Sequence, residues 1–537
     1  MKIETIIIGS GVAGAALVSR LLTKNPNASI VMLEAGSKVE MKNFAQYQNY
    51  VVTGQTPYSF CQDLNYPDRD KPGENISTDN NLSLRGARLL MYGGSTVHWG
   101  GWSFRLKPED FRLKSLTNKG IDWPINYDDL EPYYGQAENY IGVAGNSDSN
   151  IVPRSTPYPY PAYPFTLEDE KLRKALEEFG YEYSNMPIAR HGITNTESSH
   201  APCKTTGTCK YCPFGARYVA ANYLDDLIKY NDYPNFKIIK NAFVLSINMA
   251  SKAKAESVVY IDQNTKEKIV LNADKIIVAA GAIESAKLLL RSKSDYWENG
   301  IGNDRDLVGR NLITHPYFIY QAEIETNPER LQPEMDFPTL VSRQFDSTAE
   351  QEEGKFILMS PPSAPVPKNA DGNATSIVKL MQMGYTREKI DAIITGKSFV
   401  QIHGIVEVFS EFDNRVENFD KINHLGLIET SVVFKQPESF NDRIAKLEVH
   451  LEKIFEKMGA TNMKQTMMSW RADHTACLTR MSDSPETGVV DKNLKIFDVD
   501  NIYVLSNASF SSLGAVNPTL TLTALSLRLS DHLNNQY

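Results

Sequence analysis

The amino end of the chain constrains it most. Residues 3 to 8, Ile-Glu-Thr-Ile-Ile-Ile, are β-branched and apolar, as in a strand buried on both faces of a parallel sheet. They run directly into Gly9-Ser10-Gly11-Val12-Ala13-Gly14, then the helix-compatible stretch Ala15 to Lys24, then a second strand, Ser29 to Leu33, that ends at Glu34 and Ala35. This is a complete βαβ unit. Glycines at the strand-to-helix turn let the backbone approach a pyrophosphate, whose charge is met by free N–H groups and the positive end of the helix. An acidic residue at the tip of the second strand accepts hydrogen bonds from ribose hydroxyls. Gly9, Gly11, Val12, Ala13, Gly14, Glu34 and Ala35 are therefore candidate dinucleotide contacts, and the unit predicts a Rossmann-like domain.

The same style returns later. Lys275 to Ala280, Gly281 and the helical pattern Ile283 to Arg291 form another strand-turn-helix, and Asn501 to Leu505 with a helix after Pro518 closes the chain. Between them, from about Tyr320 to Trp470, alternation such as Gln401-Ile402-His403-Gly404-Ile405-Val406-Glu407-Val408 predicts an antiparallel sheet with one wetter face. The expected fold class is α/β with an α+β second domain. A discontinuous nucleotide-binding domain is expected over residues 1–155, 201–318 and 475–537, and a substrate domain over 156–200 and 319–474. Pro361 to Pro367 is expected as an exposed loop, a lid or a plain connection.

Lys and Arg total 56 against 65 Asp and Glu, a net charge of −9 that opposes nucleic-acid backbones and anionic membrane surfaces. Apolar stretches such as Ile276 to Leu290 are broken by Gly281, Glu284 and Lys287, short of the ~20 residues that a spanning helix requires. Glu4 and the glycines count against reading the amino end as a signal segment. Five cysteines in 537 residues do not make a disulfide framework. A cytoplasmic location is expected, with periplasmic export alongside a partner subunit left open.

Residues 86 to 105, GARLLMYGGSTVHWGGWSFR, set five glycines around Ser95, Thr96, His98, Trp99 and Trp102. That composition excludes a regular helix or central strand and suits close approach to a flat, buried body. Gly93, Gly94, Ser95, His98 and Trp99 are candidate contacts, His98 being either a structural side chain or a ligand to the ring of a cofactor. Near the carboxyl end stand Asp473-His474-Thr475 and Gly514-Ala515-Val516-Asn517-Pro518-Thr519-Leu520-Thr521. Pro518 suits a first helical turn, so Asn517 is expected as the N-cap of a helix from Thr519 to Leu533. Its positive end, at Pro518 and Thr519, would stabilise an electron-rich ring.

Cys203, Cys209 and Cys212, followed by Pro213, have a spacing at which thiolates can share a metal. A closed zinc site would need His200 as a fourth ligand. The alternative is a cysteine-rich turn without metal. Cys61 and Cys477 read as isolated buried thiols.

Taken together, GSGVAG with Glu34, GGSTVHWGG, AAGAIESAKLLL, VGRNLITHP at Val308 to Pro316, GVVD and the terminal NPTLT resemble the glucose-methanol-choline (GMC) oxidoreductases. The chain is most similar to their pyranose oxidase and FAD-dependent sugar dehydrogenase branches. The resemblance implies FAD, with further contacts at Val244, Ala280, Gly281, Asn507 and Ala508. It implies His474 as the active-site base, Asn517 as its partner, and His98 as the histidine that carries covalent FAD in some members. It also implies an iron–sulfur cluster at Cys203, Cys209 and Cys212, and a small electron-transfer subunit or another electron acceptor. The implied reaction is oxidation of a secondary hydroxyl of a pyranose or glycoside to a keto-sugar. An oxidase that makes hydrogen peroxide and a family lyase are the alternatives. The chain departs from the family at Ala476-Cys477-Leu478, at Asn507 where Asp is common, and at Ser511 where Pro is common.

Overall fold

The computed structural model describes residues 3–40, 43–53, 76–78, 82, 84, 87–166, 169–191, 202–203, 212, 214–324, 337–350, 354–361, 380–395, 398–422, 428–470 and 472–535. Strand β1 (Ile3–Ile8) lies at the middle of a parallel sheet, between β2 (Ile30–Leu33) and the end of a longer strand, Lys268–Val278. Phe236–Ile239 extends the sheet beyond β2, and Ile502–Val504 extends it on the other side. The central position explains the unbroken isoleucines: Ile6 and Ile7 are both fully buried, although successive side chains point to opposite faces of the sheet.

Lys268–Val278 serves two sheets, and its sequence shows where it changes allegiance. From Lys268 to Lys275 exposed and half-buried residues alternate; Lys268 to Asn272 pair antiparallel with Lys254–Asp262, itself paired with Ala242–Ser251, and from Ala273 the strand pairs with β1. The last three residues, Ile276, Ile277 and Val278, are fully buried in the parallel sheet beside β1.

Helix α1 (Val12–Lys24) packs against the carboxyl-terminal helix Thr519–Asn534. Arg20 donates to both oxygens of Asp531 at 2.9 and 2.8 Å, and Lys24 reaches the same carboxylate at 2.8 Å. Gly14 makes the close approach of α1 to β1 possible. A Cβ there would sit 2.2 Å from the Gly9 carbonyl oxygen.

The second sheet is antiparallel throughout, in the order Thr461–Trp470, Pro316–Ile324, Ser398–Val406, Phe356–Met359, Leu340–Ser342, Ser184–Asn185. On its polar face Gln401 is half-buried and His403 is 5% exposed, and both line a cavity. Pro362 to Pro367, Cys61, His200 and Cys209 lie outside the described residues. Among the described residues no helix is long and apolar enough to cross a membrane.

Candidate active site

The turn after β1 and the tip of β2 build one end of the site. The Ser10 amide and hydroxyl both donate to Glu34 Oε2, at 3.0 and 2.6 Å, and the Gly36 amide donates to Oε1 at 2.7 Å. Burial pushes the Glu34 carboxyl above its usual range, while these hydrogen bonds from Ser10 and Gly36 pull it back. Around Gly11 the space where a Cβ would stand is open, and α1 begins there with no side-chain cap and no acidic residue in its first turn. An uncapped helix end facing open space suits a pyrophosphate.

From this cradle a cavity of about 1100 Å³ runs past the 94–102 segment to the carboxyl-terminal turn and the polar face of the second sheet. Its wall includes Gly9, Gly11, Val12, Ala13, Glu34, Ala35, Gly94, Ser95, His98, Trp99, Val244, Ala280, Gly281, His474, Asn507, Asn517, Pro518 and Thr519. Three of the residues singled out from sequence stand behind the wall instead. Gly14 faces the Gly9 carbonyl, Gly93 donates its N–H to Ser10 Oγ at 2.9 Å, and Ala508 is fully buried within the turn Asn507–Ser509.

Cys203 and Cys212 are half-buried and do not line the cavity; the Cys203 amide donates to the His191 carbonyl at 2.9 Å. No cluster of three metal-binding side chains occurs among the described residues, which do not include Cys209. Cys477 is fully buried, and burial pushes its thiol up to about 12.

His474 ends the short turn Ala472–His474 in the cavity wall. Its Nε2 lies 3.0 Å from Asn517 Nδ2, and its Nδ1 lies 3.0 Å from Nδ1 of His315, whose Nε2 lies 2.7 Å from the Gly514 carbonyl oxygen. The expected N-cap role of Asn517 is thereby corrected. Pro518 is already helical, its carbonyl takes the first helical hydrogen bond from Leu522, and the Asn517 amide is engaged by the imidazole rather than by the helix. His315 is 4% exposed, and burial depresses its pKa to about 4.

Across the cavity Trp102 stacks on Tyr317, with ring centroids 6.4 Å apart and planes 29° from parallel. His403 sits between Tyr317, whose hydroxyl meets Nδ1, and Gln401, whose Oε1 lies 3.1 Å from Nε2. Burial takes its pKa down to about 4, so this group presents an uncharged polar surface near neutral pH. Asn507 Oδ1, Asn517 Oδ1 and Trp102 Nε1 are buried without a hydrogen-bond partner among the described residues. Buried polar atoms are costly unless satisfied, and these three belong to residues of the cavity wall, which fits a cavity built to hold a polar ligand. His315, Tyr317, Gln401 and His403 were not singled out from sequence. His315 stands within the VGRNLITHP run without being picked out of it; for the other three spacing offers no signal, because the register of Pro316–Ile324 against Ser398–Val406 brings them together.

A dinucleotide cradle that opens onto an imidazole–amide pair defines a nucleotide-dependent oxidoreductase. Family models described as GMC oxidoreductase match residues 3–317 and 427–526, and the chain belongs to that family. GMC oxidoreductases bind FAD, and the open space at Gly11, the uncapped α1 and the buried Glu34 fit it. Among curated proteins the chain is 29% identical to the fructose dehydrogenase large subunit of Gluconobacter japonicus, over all of this chain and 98% of that one. It is 25% identical to paromamine 6'-oxidase of Streptomyces fradiae, over 98% and 90% of the two chains. Of solved structures, pyridoxine 4-oxidase from Mesorbium loti matches over the full length of both chains with a TM-score of 0.62 at 16% identity, which is a likeness of fold.

Proposed function

We propose that the chain oxidises a secondary hydroxyl of a pyranose or glycoside to the keto-sugar and passes the electrons to an acceptor other than dioxygen. The observation that carries the reading is the His474–Asn517 pair, joined at 3.0 Å in the wall of the cavity that begins at the nucleotide cradle. FAD, when bound, supplies the acceptor for the hydride. His474 Nε2 takes the hydroxyl proton, a task for which an imidazole is suited near neutral pH. Asn517 donates from Nδ2 to the same substrate oxygen and holds it in line, a positioning role that needs no charge. Trp102 and Tyr317 offer an aromatic platform for the sugar ring, and the Tyr317–His403–Gln401 group offers hydrogen bonds to its other hydroxyls.

The 29% identity to a fructose dehydrogenase large subunit supports a sugar substrate and a separate electron acceptor, an electron-transfer subunit among the candidates. Relatives named as oxidases support the second reading, in which dioxygen is reduced to hydrogen peroxide. Anaerobic mixing with a panel of sugars, followed by the flavin spectrum and product mapping, tests the proposal. Bleaching by a sugar with slow peroxide formation in air is expected. Rapid peroxide formation would favour the oxidase, and an unbleached flavin with every sugar would remove the sugar assignment. His98 is proposed to contact the flavin from the 94–102 segment; a pellet that stays yellow after acid precipitation would mark a covalent bond. Iron and acid-labile sulfide in the purified protein would assign Cys203, Cys209 and Cys212 to a cluster.

A further inference from the structure

The line from Gly514 to Asn517 contains two imidazoles, and the proton on each is fixed by what stands at the far end. At Gly514 φ is +59°, and a Cβ would meet Leu106 Cδ2 at 3.0 Å and Asp110 Cγ at 3.2 Å, so the backbone that aims this carbonyl favours glycine. A carbonyl oxygen only accepts. His315 Nε2, 2.7 Å away, must therefore carry a hydrogen. Burial depresses the pKa of His315 to about 4, outweighing the Gly514 carbonyl and Asp346, which favour the charged ring. Near neutral pH His315 is neutral, and its Nδ1 holds a lone pair.

That Nδ1 faces His474 Nδ1 at 3.0 Å, and two ring nitrogens in contact form a hydrogen bond when one of them bears the proton. The proton is on His474. Its Nε2 is then the acceptor for Asn517 Nδ2 at 3.0 Å, and every hydrogen bond of the chain points from Asn517 towards Gly514.

We propose that His315 is a positioning residue that holds His474 in its Nδ1–H tautomer, keeping the lone pair on Nε2, where Asn517 occupies it until the substrate hydroxyl takes its place. The inference rests on the reading of His474 as the base. In the reaction the substrate O–H bond breaks and an N–H bond forms at His474 Nε2, giving an imidazolium that donates from both nitrogens. His315 takes no proton at any point: burial disfavours its charged ring, and its Nδ1 goes on accepting from His474. It anchors the base and does not relay.

Two measurements on the FAD-loaded protein test this. In the two-bond proton–nitrogen spectrum of the histidine-labelled protein, with the His474 signal assigned by its loss in His474→Asn, His474 is expected to be protonated on Nδ1. Protonation on Nε2 would overturn the proposal. In anaerobic flavin reduction, His315→Leu is expected to lower the limiting rate about 100-fold with sugar affinity and FAD content unchanged. His315→Gln, whose amide accepts from His474 and donates to Gly514, should return the rate to within about tenfold of wild type. Equal losses in the two variants would also overturn it. Failure of the base assignment is read separately, as wild-type reduction by His474→Ala.

Discussion

Ser10 grips Glu34 twice, through its amide at 3.0 Å and its hydroxyl at 2.6 Å, so the turn after the first strand and the tip of the second are one rigid unit. The same hydroxyl accepts the Gly93 N–H at 2.9 Å, which ties the 94–102 segment to that unit. Glu34→Ala is expected to weaken FAD binding by about 1.5–3 kcal/mol, roughly ten- to a hundredfold, since a charged hydrogen-bonding group is lost from a buried site. Titration of the apoprotein by flavin fluorescence reads the change. An unaltered dissociation constant would show that the ribose hydroxyls are held elsewhere.

Asn517→Asp places a carboxylate beside His474 Nε2, where Nδ2 now lies at 3.0 Å. A negative neighbour at that distance favours the imidazolium and raises its pKa by about 1–3 units. The acid limb of anaerobic flavin reduction should move to higher pH by that amount. A profile that stays in place would mean that His474 is not the group titrating.

His315 and His403, ordinary at 6.5 in an unfolded chain, are held to about 4 by burial. Between those values the unfolded chain binds protons that the folded one refuses, so both histidines lower stability as pH falls from 6.5 to about 4, and the penalty is complete below that. Glu407 acts in the opposite sense, its buried carboxyl keeping a proton up to about 7. The informative quantity is therefore a difference. His403→Gln should lose stability less steeply than wild type over this window, by up to about 1.4 kcal/mol per pH unit. Parallel denaturation curves at pH 7, 6 and 5 would contradict it.

A buried charge cluster makes a further contrast. Arg343 donates to Asp346 at 2.6 Å, and Lys355 touches Asp110 and lies 3.5 Å from Asp346. Burial alone would raise the Asp346 carboxyl; the Arg343 guanidinium and the Lys355 ammonium outweigh it and hold it below the usual range. Asp346→Asn leaves two buried cations short of a partner and should cost about 3–5 kcal/mol. Glu407→Gln at pH 6 replaces a carboxyl that is already mostly protonated, and should cost under about 1 kcal/mol. Thermal melting of the two variants should rank them in that order.

The cradle was legible because its determinants are local. A β-branched run, a glycine turn and an acidic tip within the first 35 residues dictate strand, turn, helix and strand without help from the rest of the chain. His474 and Asn517 were found through motif resemblance, yet Asn517 was expected to cap a helix. An Asn before Pro ordinarily does so, but here an imidazole brought in from another turn engages its amide. His315, Tyr317 and His403 escaped notice for a different reason. Tyr317 and His403 meet only through the register that sets Tyr317 opposite Ile405 and Ile319 opposite His403, a pairing across more than eighty residues.

The parallel sheet is completed by Ile502–Val504, and α1 is covered by Thr519–Asn534 clasping Arg20 and Lys24 through Asp531. On the ribosome, the first strand, turn and helix therefore wait for partners made some five hundred residues later. Until Thr519–Asn534 has left the exit tunnel, a nascent chain holds its phosphate-gripping turn without a roof.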